Sequence, residues 1–320
     1  MIAAGATDDN LGDPPMPFLY VVLQLALALA AAIGASVLLR WRRGWRFAVG
    51  GLALGVIGFG LALEGRGWLA TRLAGWPDLV FFTDWTLAGV AVLLALLWEQ
   101  SRTAFARRRA VLLTPIALGF ALWSYAWYFA PLPADLRGRP DPRGFCRQTT
   151  PDSCSAAAAV TLLAQHGIAA TEAEMARLCL TRRGLGTPPL GLWRGLALKS
   201  RARGWRPEYR RLNGWRELAT LSGPAIASVG LSPLASEAVR RRLAKGGWRP
   251  GVRHAVVLLG FREDEGRLAV WDPSVGLEIW KAAELEELWD RRVLLLTGDS
   301  GPRAALRRPP VEGHNEPSTD

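Results

Sequence analysis

The chain has 320 residues, half of them hydrophobic, with 15 Trp, three Cys and a formal net charge of +11. So basic a chain invites a nucleic-acid reading, but its arginines cluster beside apolar runs, as in "RWRRGWR" (40–46) and "ARRR" (106–109), a membrane-protein pattern that argues against one. Zinc-type Cys pairs, a phosphate-cradling glycine loop and helical heptads are missing, so no metal, nucleotide or other cofactor is expected.

Four apolar stretches predict membrane helices at about 17–39, 47–63, 79–98 and 110–132, each close to the roughly 20 residues that cross a bilayer. The second is short and Gly-rich, and the third carries Asp84 near its start. Asp8, Asp9 and Asp13 precede the first run, with no Lys or Arg, so it reads as an uncleaved anchor. Arg40, Arg42, Arg43 and Arg46 follow the first run, and Arg102, Arg107, Arg108 and Arg109 follow the third. The positive-inside rule puts both turns in the cytoplasm. Four spans then carry the rest of the chain to the periplasmic side of a bacterial inner membrane, and loss of one span reverses that sidedness. Residues 1–133 are thus a predicted transmembrane region. Residues 134–145, rich in Pro, Gly and charge, read as a linker. A globular domain is predicted over 146–298, and the tail 299–320 is expected to be disordered.

Within the globular domain, Pro151, Asp152 and Ser153 start a helix over 154–166, and Gly167 stops it. Thr171 and Glu174 make a capping box for a second helix through Leu180. "TRRGLGT" (181–187) is a loop, followed by a helix from Pro188 to Arg201 and another over Trp215–Leu221. "GPAIASVGL" (223–231) reads as a buried strand. "VRHAVVLLGF" (252–261) and "RLAVWDP" (267–273) form a hairpin around a turn near 263–266, and "GLEIW" and "RRVLLLTG" add strands. Helices first and an antiparallel sheet later is the order of an α+β domain.

Cys154 falls in the first turn of its helix, where unpaired N–H groups and the helix dipole favour a thiolate. Cys146 and Cys179 lack that setting. A lone Cys there is as readily a small packing residue, so a base is required. His166 lies twelve residues along the same helix, roughly 18 Å away, and serves the helix C-terminus instead. His314 is in the tail. His254 remains, and the hairpin brings Asp272 back beside it, where a carboxylate orients an imidazole. Gln148 is placed to donate to a developing oxyanion together with the Cys154 N–H.

"QTTPDSCSAAAAVTLLAQHG", "GTPPLGLWRGLALKSRARG", "GPAIA" and "HAVVLLGF…VWDPSVG" together resemble the peptidase domain of the bacteriocin-processing, double-glycine leader peptidases, papain-like cysteine peptidases often fused to ABC exporters. The most specific features are the six-residue step from Gln148 to Cys154 and the Asp-Pro eighteen residues after His254. The resemblance spans 146–298. It implies Cys154 as nucleophile, His254 as general base, Asp272 as orienting acid and Gln148 in the oxyanion hole. Ser155 stands where the family usually has Gly, and Asp152 lies two positions before the cysteine instead of one. The loop Gly184–Gly186–Thr187 is expected to line the cleft. A peptide or protein substrate, the lipid bilayer and a separate exporter are the implied partners, with leader or exported peptides as substrates. A peptide-binding module with little hydrolysis, and acyl transfer to an amine, stay open as alternatives. On the outer side, Cys146 and Cys179 are candidates for a disulfide, two unpaired thiols being the alternative.

Overall fold

A computed structural model describes residues 17–298 apart from 42, 66–70, 73–74, 84, 102, 124–128, 233–234, 246–247 and 263–265. The expectations for Asp8, Asp9, Asp13, Arg42, Asp84, Arg102, His314, most of the 263–266 turn and the tail therefore lie outside the described residues. The chain divides into two compact units, Met1–Pro131 and Leu132–Asp320.

The first unit contains helices α1 (Pro17–Trp41), α2 (Arg46–Gly65), α3 (Thr86–Gln100) and α4 (Ala104–Trp123). Two segments, Leu19–Trp41 and Pro77–Gln100, are long and apolar enough to cross a membrane; Arg46–Ala62 is apolar but shorter. The expected single helix over 79–98 is broken. Pro77–Phe82 is a 3-10 turn, and Thr83 bonds back to the Val80 carbonyl before α3 begins. The fourth begins at Ala104, six residues before its predicted start, so Arg107, Arg108 and Arg109 lie inside it with Pro115. Its predicted end falls partly on undescribed residues. Close approach joins α2 to α3, since a Cβ at Gly89 would meet Ile57 at 2.3 Å.

The second unit is built on one antiparallel sheet of six strands in the order β1-β6-β2-β3-β4-β5. The strands are β1 (Trp205–Arg211), β2 (Ala225–Gly230), β3 (Arg253–Arg262), β4 (Arg267–Asp272), β5 (Gly276–Lys281) and β6 (Trp289–Gly298). Alternation along the strands gives the sheet two apolar faces. One carries Ile226, Ala255, Val257, Trp271 and Leu294, packed with helices α5 (Cys154–Gln165), α6 (Glu172–Leu178) and α7 (Pro189–Ser200). The other carries Ala227, Val256, Leu258 and Val270, covered by α8 (Glu237–Lys245) and α9 (Ala282–Leu288).

The alanine run now has a physical reason. Ala156 to Val160, Leu162 and Leu163 are all fully buried, so α5 is enclosed on every side, and short side chains let its backbone lie close to its neighbours. The helix carrying Cys154 is a central pillar. Thr171 caps α6 by accepting from the Glu174 N–H, which sets the helix start where its sequence signal lies.

Residues 134–145 are fastened to this unit. Leu136 and Phe145 pack on its core. The buried Glu172 carboxylate accepts from the Gly138 N–H at 2.7 Å, the Thr149 N–H at 2.8 Å and the Thr149 hydroxyl at 2.7 Å. Three donors on one carboxylate satisfy a charge that would be costly to bury alone.

The proposed disulfide is corrected by the packing: Cys146 and Cys179 are free thiols with separate neighbours. Cys179 sits at the α6–α7 crossing, where a Cβ at Gly195 would meet its Sγ at 2.2 Å and one at Gly191 would meet its carbonyl at 2.2 Å. Cys146 is buried near Gly138 and the Arg147 carbonyl. Burial first, then the charges of Glu172 and Asp141, push the Cys146 thiol up to about 12. Burial does the same to Cys179, against a smaller opposing effect of Arg194. Both are packing residues in protonated form. Thiol titration of the denatured chain without reductant should count three; a count of one would restore the bridge.

Candidate active site

The helix mouth is prepared by its own cap residue. Ser153 occupies the cap position of α5, yet its hydroxyl donates to the Thr150 carbonyl at 2.8 Å and does not cap the helix. The first intrahelical bond runs from the Ala157 N–H to the Ser153 carbonyl. The N–H groups of Cys154, Ser155 and Ala156 thus have no partner inside the helix, and they present partial positive charge where Cys154 sits.

His254 stands near the start of β3 and Asp272 at the end of β4, on strands paired through Val257 and Trp271. Their side chains meet: His254 Nε2 lies 2.8 Å from Asp272 Oδ1. Oδ1 also accepts from the Ser274 N–H at 2.7 Å and the Ser274 hydroxyl at 2.6 Å. The other ring nitrogen, Nδ1, is not used by Asp272, and Cys154 and His254 are electrostatically coupled, each favouring the charged form of the other. Trp248 packs edge-on against the imidazole, with ring centroids 5.0 Å apart.

The electrostatics favour an ion pair. Burial opposes ionisation of the Cys154 thiol. The hydrogen bond and charge of His254, the Ala255 backbone and the Ser155 hydroxyl outweigh it and hold the thiol below its usual value. Burial likewise opposes a charged His254, but bonds to Asp272 and Cys154 win and raise it to about 10. Asp272 is fully buried. Its burial is overcome by His254 and Ser274, which keep the carboxyl below its usual range. A thiolate beside an imidazolium held by a carboxylate can attack a carbonyl carbon and then protonate the departing amine.

Gln148 is anchored by its own N–H to the Pro273 carbonyl at 3.0 Å. One Nε2–H donates to the Thr150 carbonyl at 3.0 Å, leaving the second N–H of that amide for another acceptor. The loop 181–187 is tied to the helix mouth, because the Gly184 N–H donates to Asp152 Oδ2 at 2.8 Å. Thr187 closes the loop with a 2.6 Å bond to Thr181, and Gly186 has a positive φ of 76° within the Arg182–Gly186 bridge. His166 bonds the Leu162 carbonyl at the end of α5, away from Cys154.

Sequence reasoning missed three contributors. Ser274 follows Asp272 in an Asp-Pro-Ser turn, in which the backbone N–H two residues on commonly bonds the carboxylate. Trp248 carried no signal. Arg147 is the third: its guanidinium donates to the Ser274 and Val275 carbonyls at 3.1 and 2.9 Å. With Gln148 N–H on Pro273, and Trp271 Nε1 donating to the Cys146 carbonyl at 2.9 Å, it stitches the Gln148 segment to the Asp272 turn. Arg147→Ala should cost about 1–3 kcal/mol, read by thermal or denaturant unfolding; an unchanged midpoint would show the clamp to be idle.

No family profile and no curated protein matches the chain. Among solved structures, it is similar to the peptidase domain of Streptococcus ComA, a bifunctional ABC transporter involved in a quorum sensing pathway, at 18% identity. That alignment covers 48% of this chain and 96% of that one, with a TM-score of 0.35. A double glycine motif protease from an AMS/PCAT transporter, solved in complex with the leader peptide, aligns at 18% identity over 51% of this chain and 95% of its own, with a TM-score of 0.34. The N-terminal peptidase C39 like domain of a toxin secretion ATP-binding protein from Vibrio parahaemolyticus aligns at 15% identity, covering 47% and 99%, with a TM-score of 0.30.

Proposed function

We propose that this chain is a membrane-anchored cysteine peptidase. The observation that carries the reading is the His254–Asp272 bond at 2.8 Å, with His254 holding the Cys154 thiol at the helix mouth below its usual value. A packing histidine has no need of a fully buried carboxylate, and a packing cysteine has no need of a histidine. Cys154 Sγ attacks the scissile carbonyl carbon. The oxyanion is met by the Cys154 N–H and the free N–H of Gln148. His254, protonated on Nδ1, gives that proton to the amine as the C–N bond breaks, leaving a thioester. Water, deprotonated by His254, then releases the acid and regenerates the thiol. Asp272 holds Nε2–H and the imidazolium throughout. The loop Gly184–Thr187, tied to Asp152, borders the cleft.

The residues before 133 are the anchor. Helices α1, α2 and α4 present large apolar side chains outward: Leu29 is 63% exposed, Leu52 70% and Ile116 68%. Such surfaces suit lipid better than water. We read four spans in a bacterial inner membrane, the peptidase on the periplasmic side, leader or exported peptides as substrates and a separate exporter as a source of them. A reporter fused after residue 298 tests the sidedness; cytoplasmic activity of the reporter would reverse it. Hydrolysis is tested by incubating the detergent-solubilised chain with a peptide library and sequencing the products. New termini made by wild type and missing with Cys154→Ala are expected, whereas identical digests would refute the reading.

A further inference from the structure

The second unit carries an open pocket of about 420 Å³, not lined by Cys154 or His254, whose rim holds Arg139, Arg143 and Arg147. Its floor is aromatic and aliphatic. Phe145 stacks on Trp271 with centroids 4.6 Å apart and planes 12° from parallel, and Leu277 beside them is 48% exposed. The guanidinium groups are held by this floor, Arg143 at 5.6 Å over Phe145 and Arg147 at 5.9 Å over Trp271. Two of the five N–H donors of Arg147 go to the Asp272 turn, which leaves three. Asp141, the one carboxylate lining the pocket, already accepts from the Arg143 and Phe145 backbone and faces the Arg143 side chain at 3.5 Å. Three cations against one committed anion favour an acidic ligand with an apolar neighbour.

The pocket also opens onto a sheet edge. β5 ends the strand order, so among the described residues its outer side pairs with no strand, and Leu277 and Ile279 on it are exposed at 48% and 58%. An exposed strand edge is a template for an extended polypeptide. A lipid headgroup would use the arginines but has no use for backbone N–H and C=O groups in a row, so the combination selects a peptide.

We propose that the arginine pocket and the β5 edge together dock an extended acidic segment of the peptide that Cys154 cleaves. An Asp or Glu side chain pairs with Arg139, Arg143 and Arg147, its apolar neighbour covers Phe145 and Leu277, and the backbone runs along β5. The proposal rests on the peptidase reading for the identity of its ligand. Arg147 adjoins Gln148, so the docked segment is held next to the residues that flank the nucleophile.

The test uses the full chain in detergent with Cys154→Ala, so that binding is read without turnover. The probes are two fluorescein-labelled dodecamers of alternating leucine and polar residues, one with three glutamates and one with glutamines in their place. At low salt the glutamate peptide should bind at least tenfold more tightly. Adding Arg139→Gln and Arg143→Gln should reduce that preference below twofold, while Arg139→Lys with Arg143→Lys keeps more than half of it. Both double variants, made with Cys154 intact, should keep its iodoacetamide alkylation rate within twofold, which certifies the fold. Equal binding of the two peptides would overturn the proposal. So would a preference that survives the glutamine variants, which would place the site elsewhere. Displacement of the glutamate peptide by dihexanoyl phosphatidylglycerol, at concentrations below those of unlabelled peptide, would make the pocket a headgroup site instead. A chain that binds as expected yet hydrolyses nothing would refute the peptidase reading and leave the docking site standing.

Discussion

Replacing His254 by alanine is expected to lower peptide hydrolysis by about 10⁴-fold or more, since removal of one member of a nucleophile–base pair forfeits nearly the whole of its contribution. The same variant should change the thiol. In wild type, Cys154 alkylation by iodoacetamide should proceed below the ordinary thiol range, because His254 stabilises the thiolate more than burial destabilises it. Without the imidazolium, burial opposes a weaker set of bonds, and the inflection should move up toward the ordinary value or beyond it. The sign for hydrolysis follows from the same pair. Activity should rise as pH passes the depressed value of Cys154 and fall again near 10, where His254 loses the proton that the leaving amine needs. A His254→Ala chain alkylated with the wild-type profile would show that the two side chains do not communicate.

Gln148→Ala is expected to reduce kcat by about 10²–10³-fold with little change in KM, the effect of losing one donor that meets charge only in the transition state. Its anchoring N–H to Pro273 is backbone and survives the substitution, so the fold and Cys154 alkylation should stay near wild type. Gln148→Glu should be worse, because a carboxylate would face the developing oxyanion. Were Gln148 only a loop residue, alanine would shift the unfolding midpoint and leave kcat alone.

The contact of His254 with Asp272 and the place of Cys154 at a helix start were legible in the chain for a physical reason. The β3–β4 hairpin is local, and the short step between its strands places His254 and Asp272 on neighbouring strands from spacing alone. Cys154 needed only a helix start and its alanine run. Thr171 lies three residues from Glu174, within reach of a cap signal. Long-range partners carry no such mark. Arg147 finds carbonyls 127 and 128 residues later, and Glu172 collects donors from 138 and 149. Strand β1 escaped notice because "WRPEYRR" is charged and contains Pro207, and it is strand only through pairing with β6 from Trp205 against Gly298 to Arg211 against Arg292. For the two remaining cysteines the choice between a bridge and two free thiols stayed open, because spacing cannot show which helix crossing a small side chain fills. Gly191 and Gly195, the residues that make room for Cys179, hold that information.

Ser155, the position that departs from the resemblance, has a place here. Its hydroxyl lies 4.0 Å from the Cys154 sulfur and helps to lower the thiol. It leaves the helix mouth chemically competent, with a second weak donor beside the nucleophile.

Covalent labelling decides whether Cys154 is a nucleophile activated by His254. Purified wild type, Cys154→Ala and His254→Ala would each be treated near neutral pH with a peptide bearing a thiol-reactive electrophile, and the adduct located by mass spectrometry. We expect one adduct on Cys154 in wild type, none on Cys146 or Cys179 in the folded chain, none with Cys154→Ala, and labelling slowed at least a hundredfold with His254→Ala. Equal labelling of all three proteins would contradict the account.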